Sequence, residues 1–491
     1  MERRDHKRAP ERPLDVALFL DVEGIFSPPE VGNDDSIKEL ATILTEEGLR
    51  ATFLFIGDRV LLLKDRGRQD VIDSLAAHEV GLHTRSARHP TNPEYISNKS
   101  WDEAVAETLK NEREGAEIIQ QVFGRRCAAL SSHNVYDSPH AHRTAAILGL
   151  PYIYVYPSAP PLYNLSWYAG ALSFPFESPT LDGRPIRSYF EGFDHKYPNT
   201  EAFDSELDRL DKHVDLCLEE HQPFLTLFVY HPQLVRLVDF IDNFWCPNGV
   251  NYPKERWGSY GEPRRRTPEQ VKTALANFRR LARWIRADQR LNPLTVSQVV
   301  ERYGQQSAVI TREELLTAGR AISSSDQILI HPRYSPAEIV VGMARAHLVF
   351  SEQGRLPESV PRDPVLGPKR SPIWHPELQG CTQQALAQLA RQLIDHMNAS
   401  GHLPATLGAP LERVGVNHLY RALGENVLAM HAGSPSNEIK FRRTPPCPAL
   451  ASPIGIRFLK AVQGELIDPD LDVNTLYRDG KLQTWTLKPA I

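Results

Sequence analysis

Over the first three hundred residues, short runs of β-branched and aromatic residues alternate with longer stretches whose apolar positions recur at helical spacing. Val16–Asp21, Ala51–Ile56, Glu79–His83, Cys127–Ser131, Tyr152–Tyr156, Ile186–Phe190 and Phe224–Tyr230 read as strands, with a last short one near Leu294–Val296. Between them Ser36–Glu47, Trp101–Gln121 and Pro268–Ala287 read as amphipathic helices. Thr267-Pro268-Glu269 supplies an N-cap and a proline at the first helical position, where its missing N–H costs nothing. This alternation predicts the α/β class, a parallel sheet either open or closed into a barrel. The run PLTVSQVVERYG reads as a final strand with a closing helix, so the first domain is expected to end near Gly304.

The pattern then changes. Residues 305–491 are rich in helix formers and poor in strand runs, which predicts a mainly α-helical C-terminal domain. It contains a weak internal repeat: ARAHLVFSEQGRLPESV (344–360) matches ARQLIDHMNASGHLPATL (390–407) in apolar spacing and terminators. In each copy a helix is expected to stop at a glycine, Gly354 or Gly401, able to take the left-handed C-cap conformation, and a Leu-Pro prevents its continuing. No titratable cluster stands in this half, so it reads as a binding or assembly module, suited to protein partners or self-association. A chain cut after Gly304 is expected to remain a soluble barrel.

Composition narrows the function classes. Of 491 residues, 41% are apolar and 24% charged, which excludes a disordered or collagen-like chain. Acidic residues outnumber basic ones, 61 to 56, for a formal charge of -5, so no nucleic-acid partner is expected. No stretch approaches the ~20 apolar residues of a membrane span, and no signal segment is evident at the start. The five cysteines are scattered and form no C-x-x-C, which fits a reducing compartment. A cytoplasmic location is expected.

Three strand ends offer chemistry. Asp21 and Glu23 close the first strand in LFLDVEG, and side chains two apart on a strand point to the same side. In parallel α/β architectures that carboxyl end is where sites are built. HEVGLHTRSARHP (78–90) places His83 at a strand end and His89 six residues on, before Pro90. If the loop curls back, both imidazoles can reach one ion and, with a first-strand carboxylate, form a mixed N/O site suited to zinc, cobalt or manganese. His231 ends the apolar run LTLFVYHPQL. Taken singly, each has a plain structural reading: solvated acids before a turn glycine, a polar loop, a packed histidine. Their recurrence at three strand ends favours a site.

FLDVEG, followed by LRATFLFIGDRV and HEVGLHTRSARHP, resembles the polysaccharide deacetylases of carbohydrate esterase family 4 over roughly residues 14–304. The resemblance implies a distorted (β/α) barrel of seven or eight strands with a divalent metal at its mouth, zinc first, with cobalt or manganese as alternatives. It implies Asp21 as general base and His231 as general acid, with Glu23, His83 and His89 holding the ion. Three departures stand out. The family's adjacent second Asp is Val22 here, with the acid displaced to Glu23. Its paired histidines are four apart, whereas position 87 here is alanine. Its arginine motif falls near ALSSHNVYDSP, which has no arginine and offers Ser131, Ser132 and His133 instead. His133, Trp167 and Tyr168 are expected on the substrate side of the mouth, beside an aromatic stretch from Tyr152 to Trp167 that also suits a core.

The expected activity is therefore hydrolysis of an acetamide C–N bond on an N-acetylated sugar or related carbohydrate. One alternative is a related barrel acting on a small non-sugar C–N substrate, favoured by a cytoplasmic location. Another is a degenerate barrel used for binding, favoured by the displaced acid, the histidine spacing and the missing arginine.

Overall fold

A computed structural model of the chain describes residues 12–25, 27–88, 90–133, 138–154, 165–175, 177–181, 184–187, 193–239, 264–373, 375, 379–408, 414–448, 460 and 468–490. The strands of the first half are β1 (Leu14–Val22), β2 (Thr52–Phe55), β3 (Glu79–His83), β4 (Leu130–Ser131), β5 (Tyr152–Tyr154), β6 (Ser166–Tyr168), β7 (Ala171–Pro175), β8 (Glu177–Leu181), β9 (Arg184–Arg187), β10 (Phe224–Tyr230) and β11 (Leu291–Leu294). Beyond them lie β12 (Val309–Thr311), β13 (Ser359–Pro361), β14 (Gly380–Thr382), β15 (Thr406–Leu407), β16 (Val414–Gly415), β17 (Glu438–Lys440) and β18 (Lys488–Pro489).

One large sheet runs in the order β10-β1-β2-β3-β4-β5-β7-β6-β18, with β11 alongside β1 as a tenth strand. From β10 to β7 the neighbours are parallel, while β6 pairs antiparallel with both β7 and β18. Among the described residues this path starts at one strand and ends at another, a curled half-barrel consistent with the distorted barrel expected. Side chains alternate across it. Val16, Leu18, Leu20 and Val22 of β1 join the large cluster packed under the helices. Ala17 and Phe19 instead meet Leu54, Ala129, Ile153, Phe174 and Phe228 on the other, inner face.

The helices follow the sequence closely. Asn33–Glu46, Trp101–Phe123 and Pro268–Ala287 cover the expected stretches. Thr267 caps the last of these and Gln270 completes its capping box. The strand expected at Leu294–Val296 lies earlier, at β11. Thr295 accepts a hydrogen bond from the N–H of Gln298 and so begins the helix Val296–Tyr303.

A second apolar cluster gathers residues from Ile310 to Trp485 around the helices Arg312–Ser323, Pro336–Gln353, Gln383–Ser400 and Val416–His431. The two repeat copies are alike: each helix has 18 residues and ends on a left-handed glycine, Gly354 at φ 69° and Gly401 at φ 70°.

The chain's last described segment returns across the boundary expected at Gly304 to pair with the first sheet. β18 pairs with β6, the Tyr168 hydroxyl donates to Gly480 O at 2.8 Å, and Ala169 N donates to Thr486 Oγ1 at 2.7 Å. Lys488 is fixed from the other side by a buried ion cluster, with Nζ 2.7 and 2.8 Å from the two Glu338 oxygens. Arg362 Nη1 lies 2.6 Å from the same carboxylate. No described helix is long and apolar enough to cross a membrane.

A chain ending at Gly304 would leave the β6 edge unpaired and expose the apolar surface of Tyr168 and Ala169 that Ile330 and Leu487 cover. We expect it to aggregate or to lose its cooperative melt in calorimetry. A soluble fragment melting like the full chain would show that the first domain does end near Gly304.

Several buried histidines are held neutral. Burial pushes His78 down to about 4, with its ring bonded to Ala41 O and Ala51 N. It likewise pushes His213 to about 4 and His140 to about 3, from an ordinary value of 6.5. Because the folded pKa lies below the unfolded one, the unfolded chain takes up more protons as acid is added. The stability they contribute is complete above pH 6.5 and is lost as the pH falls through about 4. The melting temperature should therefore drop across that window, and a flat profile would show that these rings are solvated.

Candidate functional site

Strand parity builds the site. Asp21 continues the inner-face series Ala17, Phe19 at the carboxyl end of β1, and Glu23 follows just past it. Both carboxylates are buried, as are His83, His133 and His231. His83 is the last residue of β3. Ser131, its register partner on β4, sits with its Oγ 3.1 Å from His83 Nδ1. His133 lies two residues past Ser131.

His231 reaches the same place through an irregularity. Along β10, Phe224 and Phe228 face inward while Leu225 and Leu227 face the helices. Plain alternation would send residue 231 outward. The register instead steps from Phe19↔Phe228 to Leu20↔Tyr230, so Val229 is an extra residue, a β-bulge. Val229 and Tyr230 both pack under the helices, and His231 turns inward beside Asp21.

The five groups converge. His83 Nε2 is 3.4 Å from Glu23 Oε1 and 3.8 Å from Asp21 Oδ2. His133 Nε2 is 3.3 Å from Glu23 Oε1. His231 Nε2 is 3.9 Å from both carboxylates. Two further residues hold the set from behind. Asp194 Oδ2 lies 2.6 Å from His231 Nδ1, and its Oδ1 accepts from the His231 backbone N–H at 2.9 Å. Gln233 Nε2 donates to Glu23 Oε2 at 3.1 Å.

Electrostatics separates the two carboxyls. Burial lifts Asp21 above its ordinary value against the pull of His83 and His231. Burial also opposes ionisation of Glu23, but His133, followed by His83 and His231, outweighs it and holds that carboxyl well below its usual range. Burial disfavours a charged His231, yet Asp194, with Glu23 and Asp21 beyond it, raises that imidazole to about 10.

The donor set fits a divalent cation. Asp21, Glu23 and His231 each offer a ligand atom, all within 4.8 Å of one another. Asp21 Oδ1 and His83 Nε2 are buried and lack a hydrogen-bond partner among the described residues, as atoms waiting for an ion or its water would.

Of the residues expected from sequence, Asp21, Glu23, His83 and His231 come together. His133, expected on the substrate side, stands against Glu23. His89 lies outside the described residues. Tyr168 does not face a substrate: it is fully buried, bonded to Gly480 O and packed edge-on against His142. Trp167 is half-buried and packs on the inner-face cluster. Asp194 stands in EGFDHKY with nothing in the sequence to give it a partner. Gln233 follows His231 by two residues and so lies near the same strand end.

The turn after His83 is strained and clamped. Thr84 has φ +66°, a left-handed conformation that a β-branched residue rarely adopts. Glu112, buried on the Trp101–Phe123 helix, accepts from Thr84 Oγ1 at 3.0 Å and from Arg85 N at 2.9 Å. Gly57 and Gly115 let their helices close on Arg85: a Cβ at Gly57 would sit 2.6 Å from Arg85 O, and one at Gly115 3.2 Å from Arg85 Cα.

No family model matches the chain, and no curated protein does. Solved structures do show a likeness. The Xyl-CE4 domain of a multidomain xylanase from a Trinervitermes trinervoides hindgut metagenome aligns at 13% identity and TM-score 0.28, covering 60% of this chain and 92% of that one. The Puue allantoinase aligns at 11% and 0.36, covering 62% and 94%. A CE4 family pseudoenzyme from Bacillus anthracis aligns at 13% and 0.23, covering 30% of this chain and 45% of that one. At such scores these likenesses decide nothing about activity. The side chains at the strand ends must do so.

The clamp on Thr84 has a measurable signature. Glu112→Ala should lower the melting temperature by several degrees, since it frees a left-handed β-branched residue worth ~1–3 kcal/mol of strain. In a Thr84→Gly background, where glycine adopts the turn freely, the same change should cost less. Strictly additive losses in this double-mutant cycle would show that helix and turn act independently.

Proposed function

We propose that the protein is a metal-dependent hydrolase that cleaves an acetamide C–N bond, removing the acetyl group from an N-acetylated sugar or a related carbohydrate. The observation that carries this reading is the burial of Asp21, Glu23, His83, His133 and His231 against one another at the carboxyl ends of β1, β3, β4 and β10. Such a cluster is costly to bury unless a cation or a proton inventory compensates it.

Roles follow from position and charge. Glu23, the carboxylate held most firmly ionised, and His83, with an unbonded Nε2, are the first choice for holding the ion, and zinc suits a mixed N/O set. The chemistry supplied by a divalent ion in such a site is polarisation of the acyl carbonyl and acidification of a water from about 15.7 toward 7. Asp21 takes the proton from the attacking water. Burial has already moved its pKa upward, the direction a base working at neutral pH needs. Asp194 orients His231 and favours its protonated form, which suits it to give its proton to the departing amine.

A second reading, a non-catalytic binding barrel, draws on Ala87. It occupies the position of the family's second histidine and is buried in an apolar contact with Ile25 and Ile56. The two readings separate by assay.

Asp21→Asn is nearly isosteric but cannot take a proton. It should lower kcat on an acetylated amino-sugar by roughly 10²–10⁴ while metal content by elemental analysis stays at the parent's. Glu23→Gln should lower metal occupancy, with its rate partly restored by added zinc. If the parent hydrolyses no acetylated amino-sugar with zinc, cobalt or manganese present, the binding reading takes over.

A further inference from the structure

We infer that His133 supplies the third protein ligand to the ion, from the end of β4, in place of a second histidine on the loop after β3. The inference rests on the metal-centre reading above and extends it to a residue that neither the loop motif nor the resemblance assigns to metal binding.

Two of the contacts have the length that ligands of one small ion would keep. Bonds of ~2.0–2.1 Å place ligand atoms about 3.3–3.4 Å apart at the tetrahedral angle. Glu23 Oε1 lies 3.3 Å from His133 Nε2 and 3.4 Å from His83 Nε2, two edges of that size sharing one oxygen. The two imidazole rings stand perpendicular, centroids 5.5 Å apart, so they do not stack and each presents Nε2 toward the same carboxylate. The distances from His231 Nε2 to both carboxylates, 3.9 Å, are longer than such an edge and leave room for water or substrate between them.

Strand register explains why β4 can do this. Leu82 pairs with Leu130 and His83 with Ser131, so Ala129 and Ser131 share the inner face with His83. Residue 133 continues that face one step nearer the mouth, the level that Glu23 reaches past the end of β1. The Ser131 Oγ lies 3.1 Å from His83 Nδ1, and in the tautomer in which Nδ1 donates to that hydroxyl, Nε2 carries the lone pair a metal would need. On the β3 side, the position that would carry the loop ligand at the usual spacing is Ala87, committed to the apolar contact with Ile25 and Ile56. The β4 end carries a histidine where the family places its arginine, so the departures at 87 and 133 compensate each other.

The test uses the full chain stripped of metal and titrated with zinc against a competing chelator. His133→Ala should weaken binding at least about 100-fold, the upper end of what losing even an outer partner costs. His89→Ala should bind as the parent does. His133→Cys, which keeps a zinc ligand at that position, should recover most of the affinity, and this decides the matter if the alanine variant does not fold. Cobalt substitution gives a second readout: the visible band of a four-coordinate ion should change in His133→Ala and persist in His231→Ala. Loss of zinc in His89→Ala with retention in His133→Ala would overturn the assignment. So would a cobalt band altered only in His231→Ala. A parent that binds zinc through His133 but hydrolyses nothing would leave the ligand assignment standing and remove the hydrolase reading. A parent that binds no zinc would remove both.

Discussion

Two carboxylates stand out of water at the end of one strand, and the first half of the molecule is arranged around keeping them there. An isolated buried carboxylate is strongly disfavoured, and two side by side more so. Here the compensation is three imidazoles approaching within 3.3–3.9 Å from strands on either side of β1. Two of these approaches carry a local distortion or a second partner: a bulge and an aspartate behind for His231, a serine behind and a left-handed threonine after for His83.

The sequence made some of this visible and hid the rest for identifiable reasons. Alternation located β1, β2, β3 and β10 to within a residue or two, because their apolar runs are long and bounded by polar residues. Thr267 caps through its own hydroxyl, and Gly354 and Gly401 act through their own backbone, so their roles could be read directly. Asp21, Glu23 and His83 sit at strand ends that the pattern fixes. For His231 simple parity points the wrong way, since a one-residue bulge leaves no mark in the amino-acid order. Asp194 and His133 became meaningful only through neighbours 37 and 110 residues away, His231 and Glu23. Tyr168 was misread for a related reason. Its aromatic ring suits a sugar or a core equally well, and the choice is made by Gly480, 312 residues later.

The division of the chain shows a similar contrast between local and distant information. Composition changes near residue 305, and the apolar clusters change with it, so helix-rich sequence does gather around its own core. What composition could not reveal is that β18, only two residues long, belongs to the other body's sheet. Its register is set by Lys488, which reaches the buried Glu338 carboxylate shared with Arg362. An ion cluster of this kind adds little net stability, but breaking one member leaves an unpaired buried charge. It therefore acts less as glue than as an alignment device, admitting one position of the strand against β6.

That late strand carries a consequence for how the molecule is made. During synthesis β6 leaves the ribosome long before its partner exists, and at ~5–20 residues per second the intervening stretch takes roughly 15–60 s to emerge. Throughout that interval the nascent sheet presents a naked edge in a crowded cell, the feature most prone to pairing with a foreign strand. Completion of the half that bears the buried charges is thus timed by the opposite end of the polypeptide. A stalled or prematurely terminated chain would carry every candidate ligand yet lack the strand that closes its sheet.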